Sequence, residues 1–423
     1  MMQNQDQIIQ KTSEQSTYNY PFLCIEINKG SYQKSVKSIQ IKEALSIYPN
    51  IGEQQVQIIT GNNSEWFSQN NFAEEINKNN ILTNLELRFN DWENFGEIEM
   101  IDLGNQLNKC HNLKKLRLII YKNTFLNAYK ILQCYNITHL IISFQCRNNE
   151  DFVSQNSKYS LIESLKKTYF QFCKFQNLEE LTIYQYSLGL TDDTIDLLGS
   201  NLQLCKNLKK LTLRLSTNPL GYQGVALLGK HISKMVQLVE LYLALEENNI
   251  QNDGVNILGQ SLCSLINLSS LTLLFYKNQI EEQGIDALMK SIQFLNLHYL
   301  YVSFSQNQIQ DGGLNKFSQY IPNFKELKSL RVLINETKIS EQSLLQIIQQ
   351  IQICKNIKIF KVEANNQYND YSINQMLNLL KALTQLNSLN FYIKESYKKC
   401  NKKLQMLIQK KLVRLVDVPN IVI

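Results

Sequence analysis

The sequence predicts an α/β solenoid, with one parallel sheet, a helix after each strand, and about eleven repeats of ~30 residues. Three observations lead there. Apolar anchors recur at a fixed step. Each repeat alternates with period two and then shifts to helical spacing. The turn between the two parts carries Asn and Gly at the same step.

The anchors are the first leucines of an L-x-x-L-x-L pattern, at Leu208, Leu238, Leu268, Leu297, Leu327, Ile357 and Leu386. They are separated by 30, 30, 29, 30, 30 and 29 residues. Leu82, Leu113, Ile137 and Leu178 continue the series less evenly, with steps of 31, 24, 41 and 30 up to Leu208. After each anchor, Leu211, Leu213 and Leu215, or Leu241, Leu243 and Leu245, alternate with polar neighbours, as a strand with one buried face does. Val225, Leu228, Ile232 and Met235 then follow the spacing of an amphipathic helix, as do Val255, Leu258, Leu262 and Leu265. Between strand and helix stand Asn218, Asn248, Asn278 and Asn307, then Gly224, Gly254, Gly284 and Gly313. The asparagines are expected to cap backbone groups of the turn, and the glycines to let the chain turn tightly into the helix.

One strand and one helix cannot bury their apolar faces alone, so stacked units share a continuous core. Strands pack more narrowly than helices, so the sheet is expected on a concave face and the helices on a convex one. The unit LKKLTLRLSTNPLGYQGVALLGKHI and its three successors resemble the ribonuclease-inhibitor-like class of leucine-rich repeats, which includes the Ran GTPase-activating proteins. The resemblance covers roughly residues 80–393 and implies a horseshoe-shaped solenoid. One difference stands out. The usual LxxLxLxxNxI is lengthened here to LxxLxLxLxxNxI, two residues more in the strand.

Residues 1–80 are read as an N-terminal tail and cap with degenerate first repeats, Phe22–Ile27 and Val56–Ile59 being candidate strands. Residues 81–393 form the repeat domain, with 148–158 as an insertion loop. Residues 394–423 differ in charge, with eight basic side chains against Glu395 and Asp417, which equals the whole chain's formal +6. Leu404, Leu407, Ile408, Leu412 and Leu415 give this tail an amphipathic stripe, so it is expected to cap the last repeat. Nucleic acid or an acidic membrane surface is a partner through this tail alone.

No apolar run approaches the ~18 residues of a membrane span. The opening MMQNQDQIIQKTSEQ is polar, so no secretory signal is expected, and nine scattered cysteines without a CxxC pair suit an intracellular, cytoplasmic chain.

Motifs for chemistry are sparse. GVALLGKH from Gly224 nearly matches a phosphate-binding loop, but His231 stands where Ser or Thr is needed, and the segment fits a repeat helix. Cys110, Cys205 and Cys354 each precede an anchor by three residues, so they are expected to be buried core. His111, His139, His231 and His298 are expected to be solvated or to cap turns. No catalytic residue, cofactor, metal or small-molecule substrate is assigned.

Strand alternation instead orders a surface. If Leu211, Leu213 and Leu215 point inward, their neighbours reach the concave face. Repeated along the chain, this gives Arg88, Arg117, Tyr121, Tyr184, Tyr186, Arg214, Tyr242, Tyr276, Tyr301, Arg331, Lys361 and Tyr392, with Glu86, Glu246, Leu274, Leu333 and Glu363 among them. Tyr and Arg are enriched at binding hot spots. The expected function is a non-enzymatic scaffold or adaptor holding a protein on that face. Two alternatives are a GTPase-activating protein of the Ran type, whose catalytic residue has no counterpart that can be transferred here, and a ubiquitin-ligase substrate adaptor, which would need an F-box-like segment before the repeats.

Overall fold

The structure, a computed structural model, describes residues 22–27, 54–60, 82–89, 97–121, 128–145, 155–364, 375–376, 378–380 and 382–393. The chain forms two compact units, Met1–Leu178 and Glu179–Ile423.

Among the described residues, the first unit holds five parallel strands in chain order, β1 (Phe22–Ile27), β2 (Gln54–Thr60), β3 (Leu82–Phe89), β4 (Lys115–Tyr121) and β5 (His139–Gln145). Its helices are α1 (Glu97–Asn108) and α2 (Gln155–Phe172). β1 and β2 bring the described strands to two more than the anchors predict, because neither follows an L-x-x-L-x-L run. Residues 155–158, read as part of an insertion loop, open α2 instead. Leu161, Leu165, Tyr169 and Phe172 supply its buried stripe, and no Gly or Pro interrupts it.

Among its described residues, the second unit carries eight parallel strands, also in chain order. They are β6 (Glu180–Gln185), β7 (Lys210–Arg214), β8 (Glu240–Ala244), β9 (Ser270–Leu274), β10 (Tyr299–Ser303), β11 (Ser329–Leu333), β12 (Ile359–Ala364) and β13 (Ser388–Ile393). The helices between them are α3 (Asp192–Leu202), α4 (Gly221–Ile232), α5 (Gln251–Leu262), α6 (Glu282–Ile292), α7 (Gln310–Tyr320) and α8 (Glu341–Ile353). Inward strand residues such as Leu211, Leu213, Leu241 and Leu243 are buried, and so are Val225, Leu228, Val255 and Leu258 on the apolar stripes of the helices. Each such side chain contributes roughly 1.5–3 kcal/mol. At α3, Thr191 and Thr194 form a reciprocal capping box, and Asp192 and Asp193 sit at the positive end of the helix dipole.

The turns are fixed by the asparagines. Leu215 continues the inward face and its amide still pairs in parallel with Ala244 O at 2.8 Å, as does Thr217 with Glu246 O. Thr217, Glu247, Lys277 and Gln306 then adopt positive φ, between 54° and 59°. That left-handed residue breaks the alternation and turns the next side chain, the asparagine, into the core. Asn218, Asn248 and Asn278 are fully buried and Asn307 nearly so. Oδ1 of Asn248 accepts the amide of Asn218 at 3.1 Å, Oδ1 of Asn278 that of Asn248 at 3.0 Å, and Oδ1 of Asn307 that of Asn278 at 2.9 Å. Each Nδ2 reaches back to a carbonyl at the end of the preceding strand, on Gln185, Leu215, Leu245 and Phe275 in turn. The asparagines therefore cap the turn as expected, and they cap the neighbouring repeat's turn as well as their own.

The glycines do something else. Gly224, Gly254, Gly284 and Gly313 lie inside helices, and none has positive φ. A Cβ on Gly254 would meet Ile250 Cγ2 at 2.4 Å and the Tyr222 Cα at 3.2 Å. One on Gly284 would meet Asn252 Oδ1 at 2.6 Å and its Cα at 3.2 Å. They allow each helix to approach the previous repeat closely, and the sharp backbone turn falls on the residues before them.

Two outcomes follow. Asn278→Ala strips the amides of Asn248 and Ile250 of their acceptor in a buried setting, and urea denaturation should show a loss of about 2–4 kcal/mol. Gly254→Ala should lower stability by roughly 1–3 kcal/mol, because one contact is with backbone and cannot swing away.

Candidate protein-binding face

In the second unit, strand register arranges the sheet's open face, the one turned away from the helices, into rows. Thr212, Tyr242, Thr272, Tyr301, Arg331 and Lys361 are successive lateral neighbours. The next row reads Tyr184, Arg214, Ala244, Leu274, Ser303, Leu333 and Glu363. Beyond the strand ends, the two added residues per repeat supply one more row, which includes Ser216, Glu246, Tyr276 and Ser305.

Two aromatic–cation clusters form. The Arg214 guanidinium carbon lies 5.3 Å from the Tyr184 ring centre and 4.8 Å from that of Tyr242, so it sits between the two rings. Arg331 lies 4.5 Å from the Tyr301 ring and pairs with Glu363 at 2.9 Å. Burial pushes the Tyr301 phenol up to about 12 and raises those of Tyr242 and Tyr299. These hydroxyls therefore stay protonated and can donate throughout the physiological range. Between the clusters the outward row is covered and without charge, since Ala244, Leu274 and Ser303 are buried although they belong to it.

Placement of the sequence-derived residues divides three ways. Tyr184, Arg214, Tyr242, Tyr301, Arg331 and Lys361 share the open face of the second unit. Tyr276 is half-buried just past β9, and Tyr186 is exposed just past β6. Arg117 lies on β4 in the first unit, 3.5 Å from Glu86. The backbones of Arg88, Tyr121 and Tyr392 lie in β3, β4 and β13, but their side chains fall outside the described residues, as does the tail, 394–423.

Sequence reading missed the first outward row. Lys210 bridges Glu180 at 3.1 Å and Glu240 at 3.3 Å, and the hydrogen bond it donates to Glu180 leads the effects that raise its pKa. Tyr299, Ala244 and Ser303 were missed too. The signal was present, because all have the outward parity of residues that were named.

Residues suggestive of chemistry resolve into packing. Gly224–His231 is helical, with Val225, Leu228 and Ile232 buried, and a Cβ on Gly229 would press on Ser261 Oγ at 2.6 Å. Cys110 and Cys205 are buried, and burial pushes the Cys110 thiol up to about 12. Cys354 is half-buried, a departure from the expected core slot, because it is the residue that ends α8. His231 corrects the expectation of a solvated histidine. It is 4% exposed, its Nε2 lies 2.8 Å from Asp196 Oδ1, and a Cβ on Gly199 would come within 2.7 Å of it. The hydrogen bond that Asp196 accepts from His231 leads the effects holding its carboxyl below the usual range. The pair joins α3 to α4. Among the described residues, no three His, Cys, Asp or Glu side chains form a group able to hold a metal. No described helix is long and apolar enough to cross a membrane.

Parallel strands at every step within each unit, an inward asparagine at the turns and a helix closing the repeat decide the architecture. The fold is a leucine-rich repeat solenoid. No family model matches the sequence, and no curated protein matches it. Among solved structures, the chain is similar to the leucine-rich repeat-containing protein LegL7 from Legionella pneumophila, at 15% identity and a TM-score of 0.42, over 86% of this chain and 99% of that one. The assignment of this solenoid to the leucine-rich repeat fold stands on the geometry of its own repeats.

The Arg214–Tyr242 contact is open to direct measurement. A double-mutant cycle with Arg214→Ala and Tyr242→Ala should give a coupling of about 0.5–1 kcal/mol in unfolding free energy. A coupling of zero would mean that the two side chains do not stack in solution.

Proposed function

We propose that this leucine-rich repeat solenoid is a non-enzymatic scaffold that holds a protein partner on the open face of β6–β13. The observation that carries this reading is the set of tyrosines and arginines fixed against one another on that face before any partner arrives. Solenoids of this kind present extended surfaces on which partners are bound. Tyr and Arg bury large areas and keep polar tips, and stacking has already removed much of their side-chain freedom. Less ordering is then left to oppose association.

A second surface has an observation of its own. Leu204, Val236, Ile266 and Phe294 stand in four successive helix-to-strand turns and are 43%, 46%, 70% and 82% exposed. An apolar stripe along that edge also suits a protein contact.

One comparison separates the two surfaces. Protein is captured from native lysate by the intact chain and by a Tyr242→Ala, Tyr276→Ala, Tyr301→Ala variant, once circular dichroism shows both folded. The open face predicts a partner retained by the first and lost by the second. Equal retention would move the site to the turn edge.

A further inference from the structure

The open face is not uniformly neutralised. Its described carboxylates are engaged: Glu180 and Glu240 with Lys210, Glu363 with Arg331, and Glu246 by the hydroxyl of Ser216. Arg214 differs. Its guanidinium carbon is within 5.3 Å of two tyrosine ring centres, it is exposed, and no described carboxylate lies within ion-pair distance. A guanidinium has five N–H donors in one plane, and stacking on rings leaves the edge of that plane free for a bidentate carboxylate.

The surroundings narrow what would dock there. Register places Ala244, Leu274, Ser303 and Leu333 beside Arg214, one strand after another. Strand spacing is about 4.8 Å, so the backbone of Leu274 lies roughly 10 Å from that of Arg214 and the backbone of Leu333 roughly 19 Å. A polyanion such as nucleic acid fits poorly, because Glu240, Glu246 and Glu363 are interleaved across the same surface.

We propose that Arg214 is the anionic anchor of the binding face, taking an Asp or Glu side chain from a partner segment whose neighbouring apolar residues lie over Ala244, Leu274 and Leu333. This rests on the scaffold reading above and specifies the partner's chemistry: a protein segment that is acidic at one end and apolar beyond it.

The test is selection of phage-displayed random linear peptides on the full-length chain, followed by fluorescence anisotropy of the selected peptides with variants. The expected result is enrichment of Asp or Glu next to apolar residues, with affinity about tenfold weaker for Arg214→Gln, partly restored in Arg214→Lys, and unchanged for Lys290→Gln on α6. Circular dichroism and thermal melts of the Arg214 variants establish that they are folded. Selected peptides without acidic enrichment, or affinity unaltered in Arg214→Gln, overturn the anchor. If those peptides are still lost with Tyr242→Ala and Tyr301→Ala, the face reading survives and the anchor alone fails. If neither set matters, both fail. Arg214-dependent binding of an oligothymidine strand that displaces the peptides would replace the acidic protein segment with nucleic acid.

Discussion

Each asparagine of the ladder from Asn218 to Asn307 is a buried polar side chain whose hydrogen-bonding capacity is divided between the neighbouring turn and its own. Its oxygen accepts an amide of the repeat before it and its nitrogen donates to a carbonyl there. Buried amides and carbonyls at a strand end would otherwise go unpaired, and in a dry interior each such loss is costly. The ladder therefore holds consecutive strands in one register. With the register fixed, the outward rows of the sheet become continuous, and side chains distant in sequence, such as Tyr184, Arg214 and Tyr242, stack on one another. The ladder ends where its residue type does. Leu188 donates its amide to Asn218 at one end, and Thr337 replaces the asparagine at the other.

The two added strand residues per repeat act in the same direction. They carry the parallel pairing past the ends of the strands and create the row that contains Glu246 and Tyr276. The left-handed residue that follows then carries out the change of parity. It falls on Thr, Glu, Lys and Gln instead of Gly, although an L-residue there carries some strain. The turn's hydrogen bonds hold that geometry, and the polar side chains at these positions project to solvent.

Much of this was legible in the sequence. Period two, the helical spacing and the 30-residue step gave the fold, and parity gave most of the open face. The turn glycines were misread because a Gly next to a turn suggests positive φ, whereas the backbone places that φ on the residue before each asparagine and leaves Gly254 and Gly284 to relieve helix contact. His231 was misread because its burial depends on the space that Gly199 leaves in another repeat. Ala244 and Ser303 were passed over because small residues rarely announce a surface, yet their smallness shapes the lane beside Arg214. What an isolated repeat unit does not show is which side chains of different repeats touch.

Hydrogen–deuterium exchange tests most directly the claim that the asparagine ladder sets the face. In the unaltered chain, the amides of Leu188, Asn218, Asn248, Ile250 and Asn278 should exchange as slowly as those at the centres of β7–β9. In an Asn278→Ala variant, protection should fall in the turns of the neighbouring repeats and extend into β8 and β9. If the turn amides of the unaltered chain exchange as fast as exposed loops, or if the strands keep full protection once Asn278 is gone, the ladder is not what holds the face in register.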